Sequence, residues 1–192
     1  MPYPWAMFAL ELVHMGVAPD QPICRVIDAN VYVRPEKGGL MLGGYETDPQ
    51  PFDVRALPKG FQIKDLPLDL GVLRGLADKV RDVFPVFRDA PVCEHRGGLP
   101  TITADGKHIV GHVPGLRGFY AATGCCVGGL SISPAIGQCL AELILTGTSS
   151  LTLDEMAITR FGPELADDEA LREAGIATYA HQYAGGWDAA LV

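Results

Sequence analysis

The chain has 192 residues, enough to bury one ordinary core or two small ones without disulfide or metal staples. Hydrophobic residues make up 48% and charged residues 20%, the proportions of a soluble globular protein rather than a disordered or fibrous one. A formal net charge of −8 excludes the basic footprint on which phosphate binding rests, so no nucleic-acid partner is expected.

Along the chain, the apolar run 5–10 is followed by Glu11 and His14 and is too short to cross a bilayer, so no membrane association is expected. The five cysteines lack CxxC spacing and are odd in number, which fits free thiols in a reducing, cytoplasmic setting. Between 23 and 45, Arg25-Val26-Ile27, Val31-Tyr32-Val33 and Leu40-Met41-Leu42 flank the turn-forming Pro35-Glu36-Lys37-Gly38-Gly39, which predicts a hairpin. From 66 to 84 the period lengthens: Leu66, Leu70, Leu73, Ala77, Val80 and Phe84 recur at helical steps, predicting an amphipathic helix ended by Pro85. Residues 91–103 read as extended, Ala104-Asp105-Gly106 as a turn, and 108–110 and 118–123 as short strands. Next comes a predicted helix with Ser133 as N-cap and Pro134 in its first turn, an apolar face of Ile136, Leu140, Leu143 and Ile144, and Gly147 as its stop. A last, more polar helix is predicted over 168–183.

Between the last short strand and the capped helix lies Ala121-Ala122-Thr123-Gly124-Cys125-Cys126-Val127-Gly128-Gly129-Leu130-Ser131-Ile132-Ser133-Pro134. Glycines there let a ligand approach the backbone, and free amides at a helix start favour an electron-rich group. This stretch follows Thr101-Ile102-Thr103-Ala104-Asp105-Gly106, Ile109-Val110-Gly111 and Gly118-Phe119-Tyr120. Together with Val31-Tyr32-Val33-Arg34-Pro35 and Leu40-Met41-Leu42-Gly43-Gly44-Tyr45-Glu46, it resembles the carboxy-terminal half of the FAD-dependent amine oxidoreductases of the glycine oxidase, sarcosine and dimethylglycine dehydrogenase type.

That resemblance implies an enzyme removing hydride from a carbon beside an amine. Gly124, Gly128, Gly129, Leu130, Ser131 and Ile132 would pass the pyrimidine edge of the flavin. Amides and a helix dipole at that edge stabilise the charge gained on reduction. It implies equally that the hairpin over 32–46 lines the substrate pocket, with Tyr32, Arg34, Met41 and Arg96 on an amino-acid-like amine and Tyr45 as a catalytic group. An arginine can take a substrate carboxylate in a forked pair.

Two departures bear on the chemistry. Oxidase members carry a lysine on the second hairpin strand where this chain has Met41, so a dehydrogenase of low oxygen reactivity is expected. Relatives that attach FAD through a cysteine have it where Gly98 stands here, so covalent attachment is not. A third departure is larger: no Gly-x-Gly-x-x-Gly turn follows a strand anywhere in the 192 residues. The expected fold is therefore α+β. Antiparallel substrate-domain strands lie over 1–96, the flavin-proximal carboxy-terminal part of an FAD-binding Rossmann-like domain over 97–150, and an extension without assigned chemistry over 151–192. The alternative is a non-catalytic, truncated remnant or a partner-binding subunit. Either would bind a complementary FAD-binding chain or self-associate. Cys93-Glu94-His95, with His108 and His112 downstream, lacks a second pair at zinc spacing, and no metal is expected.

Overall fold

In the computed structural model, the described residues are 5–10, 22–36, 38–46 and 48–181, of which 5–10 by backbone alone. They contain seven strands and three α-helices in an α+β arrangement and fall into two compact units. One unit holds the described residues of Pro4–Gln50 and Arg55–Leu99, the other those of Pro51–Val54 and Pro100–Gln182.

The first unit is a five-stranded antiparallel sheet backed by one helix. β1 (Trp5–Leu10), β2 (Cys24–Val26), β3 (Val31–Glu36), β4 (Gly39–Gly44) and β5 (Val92–Gly98) lie in the order β2-β3-β4-β1-β5. The apolar run at 5–10, read from sequence only as too short for a membrane, is thus an interior strand paired with β4 and β5. The hairpin forms as predicted, but β3 continues through Pro35 to Glu36, and the reversal narrows to the residues between Glu36 and Gly39. Proline fits there because its ring is compatible with an extended backbone, provided its missing amide is not needed by the ladder.

Alternation along β3 and β4 sorts their side chains. Val31, Val33, Leu40 and Leu42 are buried in one core with Leu73, Leu76 and Val80 of α1 (Leu70–Val80). The Asp69 side chain caps α1 by accepting from the Gly71 amide at 2.7 Å. The helix stops at Val80 and not at Pro85. The Val83 and Phe84 amides both turn back onto the Val80 carbonyl, and Pro85 opens a short 3-10 turn, Pro85–Arg88. Phe84, just before the proline, has left the helical region (φ −125°, ψ 77°), as its ring clash dictates.

The second unit pairs β6 (Ile109–His112) antiparallel to β7 (Tyr120–Thr123) and adds α2 (Gly129–Thr146) and α3 (Asp168–His181). Ile102, Val110, Cys126, Cys139 and Tyr179 are buried within it. The α2 start corrects the sequence expectation: the helix begins at Gly129, and Ser133 and Pro134 lie inside it. Pro134 has no amide for the Leu130 carbonyl, the acceptor four residues back, and the Ser133 hydroxyl donates to that carbonyl at 3.0 Å instead. The Ser-Pro pair therefore repairs a helix interior rather than opening a helix. Gly147 does end α2, left-handed at φ 81° with its amide on the Leu143 carbonyl.

Of the α2 residues only Cys139 is buried. Leu130 is 91% exposed and Leu145 82% exposed. Of the predicted apolar face, Ile136, Leu140 and Leu143 are half-buried, while Ile144 is exposed.

Candidate functional site

The glycine-rich segment leaves β7 in a conformation few side chains tolerate. Gly124 has φ +65°, and a Cβ there would stand 2.5 Å from the Thr103 methyl. Cys126 and Val127 follow with φ 42° and 60°, left-handed values that cost a β-branched residue about 1–2 kcal/mol. Strain of this kind persists where surrounding bonds hold it. Here the Cys126 amide donates to the Thr101 carbonyl at 2.9 Å, and the Gly128 amide to the Cys125 carbonyl at 2.8 Å. Replacing Val127 by glycine is expected to raise stability by about 1 kcal/mol through loss of that strain. A thermal melt checks this, and a lowered midpoint would mean that packing of the isopropyl group outweighs the strain.

The segment delivers α2 with no side-chain cap at its N-terminus among the described residues. Gly128 caps it without a side-chain hydrogen bond, Gly129 sits against Cys125, and Leu130 points outward. The Ser131 hydroxyl turns back to the Gly128 carbonyl at 2.7 Å, and Ile132 is half-buried. Gly124, Gly128, Gly129, Leu130, Ser131 and Ile132 are thus one continuous strand-to-helix turn. Its amides and open glycine surface fit the edge of a flat, electron-rich ring.

Sequence reasoning missed His108 at this turn. Its ring carbon Cε1 would lie 3.8 Å from a Cβ on Gly128, and its buried Nε2 has no hydrogen-bond partner. Burial lowers its pKa.

Beneath the loop, Thr103 and Asp105 tie the turn together. The Thr103 hydroxyl lies 2.8 Å from the Lys107 carbonyl and 3.1 Å from the Asp105 carboxylate. Arg160, from the tail, grips Asp105 in a forked pair at 2.7 and 2.9 Å and also donates to the Lys107 carbonyl. Its guanidinium lies 4.1 Å from the Phe161 ring centroid. The Thr178 hydroxyl of α3 donates to the Ala104 carbonyl at 2.6 Å. Between this turn and the tail is an apolar cavity of about 350 Å³ lined by Ile102, Thr103, Gly124, Phe161 and Leu165. The tail read from sequence as carrying no chemistry therefore walls the space behind the loop.

The hydrogen bond from Arg160, helped by the Lys107 amide, holds the Asp105 carboxyl at about 2, below its ordinary 3.8. A depressed carboxyl stabilises the fold above its unfolded value and loses that contribution as pH falls through 3.8 toward 2. With its side chain 35% exposed, the loss is expected to be on the order of 1 kcal/mol after solvent screening. His108 and His95, both lowered by burial, work in the same sense at higher pH. The unfolded chain takes up their protons first as pH drops through 6.5, so stability again falls. Urea midpoints measured across this range should decline in two steps, and a flat profile would contradict both.

In the first unit, the sheet face opposite α1 carries Tyr32, Arg34 and Glu36 of β3, Met41 and Gly43 of β4, and Glu94 and Arg96 of β5, aligned through the registers with β1. The outer end of the Tyr32 ring packs against Gly43, where any Cβ would collide with it, so the glycine makes room for the aromatic side chain. Met41 is buried, with the Arg34 and Arg96 guanidiniums 3.8 and 4.0 Å from its sulfur. The sequence-predicted residues Tyr32, Arg34, Met41 and Arg96 are therefore on one face. Tyr45 lies just beyond β4, its amide on the Asn30 carbonyl at 3.1 Å. Glu36, which no sequence argument singled out, pairs with both arginines. The alternation expected for Cys93-Glu94-His95 is present: Glu94 pairs with Arg96 on this face, while His95 aligns through β1 with the core residue Leu42.

Residues 6–143 match the family model described as FAD dependent oxidoreductase (DAO), and the chain belongs to that family. Among curated proteins it is 29% identical over 85% of its length to mouse (Mus musculus) mitochondrial sarcosine dehydrogenase. It is 27% identical over 70% to the mouse mitochondrial pyruvate dehydrogenase phosphatase regulatory subunit. It spans 18% and 15% of those two proteins. The crystal structure of glycine oxidase from Geobacillus kaustophilus superposes with a TM-score of 0.65 at 20% identity, over 84% of this chain and 39% of that one, and shares its fold.

Proposed function

We propose that this chain supplies the ring-binding and substrate-binding parts of an FAD-dependent enzyme that oxidises a secondary or N-methylated amino acid of the sarcosine or dimethylglycine kind, by hydride transfer. The observation that carries this reading is the turn from Gly124 to Gly129 into the start of α2, which no described side chain caps, set in a family whose members use FAD. FAD, when bound, supplies the hydride acceptor. The chain's own amides at 128–132 would hold the pyrimidine edge, completing the carboxy-terminal part of a Rossmann-like FAD domain. Tyr32, Arg34, Met41 and Arg96 would hold the substrate, with Tyr45 at the edge of that face.

Met41 favours a dehydrogenase that passes electrons to an acceptor other than oxygen. Its thioether carries no charge, and the two arginines over it are already paired with carboxylates. A net charge of −8 supports a small-molecule substrate rather than a nucleic acid, and the cysteine pattern supports a reducing, cytoplasmic setting.

No Gly-x-Gly-x-x-Gly turn for the pyrophosphate is present in these 192 residues, so activity requires a dinucleotide-binding segment in addition to them. The exposed apolar surface of α2, with Leu130, Ile144 and Leu145, is the docking face we assign to that complementary segment. The same exposure supports a second reading, a subunit that binds a partner without catalysing. Mouse sarcosine dehydrogenase and the mouse phosphatase regulatory subunit, by their names one an enzyme and one a regulator, show that similarity of this degree accompanies either role.

The test is to mix the purified chain with FAD and a separately expressed dinucleotide-binding half of a family member, remove excess cofactor, and assay sarcosine with an artificial electron acceptor. Retained flavin absorption with turnover supports the catalytic reading. A stable complex that keeps neither supports the second.

A further inference from the structure

The sheet face opposite α1 holds a charge arrangement that spans four strands. Glu36 stands on β3 and Arg96 on β5, with β4 and β1 between them. Nevertheless the Arg96 guanidinium reaches within 3.5 Å of Oε1 of Glu36, while Arg34 meets Oε2 of the same carboxylate at 2.9 Å. Arg96 also lies beside Glu94, Nε to Oε1 at 3.1 Å, an ion pair without hydrogen-bond alignment. Both guanidiniums lie over the buried Met41 sulfur. Glu36 is the most enclosed of the four charged side chains, 17% exposed against 34–40% for the others. Within this cluster two cations and two anions cancel, so the group over Met41 is itself balanced before any ligand arrives, with Arg25 of β2 farther out on the same face, across from Tyr32.

A neutral, partly enclosed cluster discriminates by charge balance. A lone carboxylate entering between Arg34 and Arg96 adds an uncompensated negative charge beside Glu36. A zwitterion adds none, because its ammonium can meet Glu36 while its carboxylate meets the arginines. We propose that Glu36 is the specificity-determining and positioning residue of this face. It holds Arg34 and Arg96 over Met41 and selects ligands carrying a cationic amine together with a carboxylate over carboxylates alone. This rests on the reading of the face as the substrate site, and it adds a residue and a ligand class to that reading.

The experiment titrates the full chain with sarcosine and, separately, with methoxyacetate, the ether of matching shape without the amine, following amide shifts by NMR. The unmodified chain should prefer sarcosine by about tenfold. Glu36→Gln should bring the ratio close to one, weakening sarcosine and strengthening methoxyacetate. Glu36→Asp, which leaves an anion at the hub, should keep most of the preference, whereas Glu94→Gln, which unbalances the cluster but spares the hub, should lose part of it. A preference still at about tenfold in Glu94→Gln would overturn the charge-balance argument, and this variant carries the test if the Glu36→Gln protein does not fold. Sarcosine preference unchanged in Glu36→Gln overturns the role of Glu36 and leaves the substrate face standing. Binding of neither probe by the unmodified chain removes the face as a substrate site and this inference with it.

Discussion

Replacing Gly124 by valine is expected to destabilise the second unit by about 3 kcal/mol and to abolish flavin retention in the reconstituted enzyme. Two costs combine. A β-branched residue at φ +65° is strained by about 1–2 kcal/mol, and its Cβ would stand 2.5 Å from the Thr103 methyl. Thr103 cannot simply swing away, because it is buried and its hydroxyl bonds the Lys107 carbonyl and the Asp105 carboxylate. Relieving the clash therefore shifts the Thr101–Asp105 turn, and with it the Thr101 carbonyl that accepts from Cys126. Denaturant unfolding gives the stability change, and the flavin spectrum after removal of excess cofactor gives the second readout. The contrasting variant is Gly128→Ala. Its new Cβ meets nothing closer than 3.8 Å, and it should leave stability within about 0.5 kcal/mol of the parent.

Arg160→Ala is expected to cost about 2 kcal/mol, below the 3–5 typical of a fully buried pair because Asp105 is partly solvated. The Arg160 side chain is only 12% exposed and satisfies Asp105 twice, along with the Ala157 and Lys107 carbonyls. Its removal strands a carboxylate under the loop and frees Phe161 from the cavity wall. Arg160→Lys should rescue little, since an ammonium cannot reproduce the fork or the stacking on the ring. The acid step in stability assigned to Asp105 should shrink in both variants. Equal stability of Arg160→Ala and the parent would mean that the pair is solvated and contributes nothing.

Much of this architecture was legible in sequence because its signals are local. Val31 and Val33 alternating with Tyr32 and Arg34, the helical spacing of Leu73 and Val80, and Gly147 as a stop each need only a few neighbouring residues to be read. The failures have a different origin. Ser133-Pro134 reads as a helix start from composition, and only the hydroxyl-to-Leu130 bond reveals that it lies within α2. The run at 5–10 has strand chemistry, but its place between β4 and β5 depends on contacts with residues thirty or more positions away. Glu36 was invisible as a site residue, and His108 was weighed only as a metal ligand, because their meaning depends on what crosses the sheet or faces the loop. Arg34, Met41 and Arg96, by contrast, were found through resemblance, and the registers align them on one face.

The measurement that bears most directly on the central claim, that this chain holds the ring end of FAD and not its adenosine diphosphate end, is an amide NMR titration of the isolated chain with FAD and, in parallel, with adenosine diphosphate. The account predicts that FAD shifts the amides of Gly124, Gly128, Gly129 and Leu130 while adenosine diphosphate leaves them in place. Equal shifts with both, or none with FAD at millimolar concentration, would contradict it.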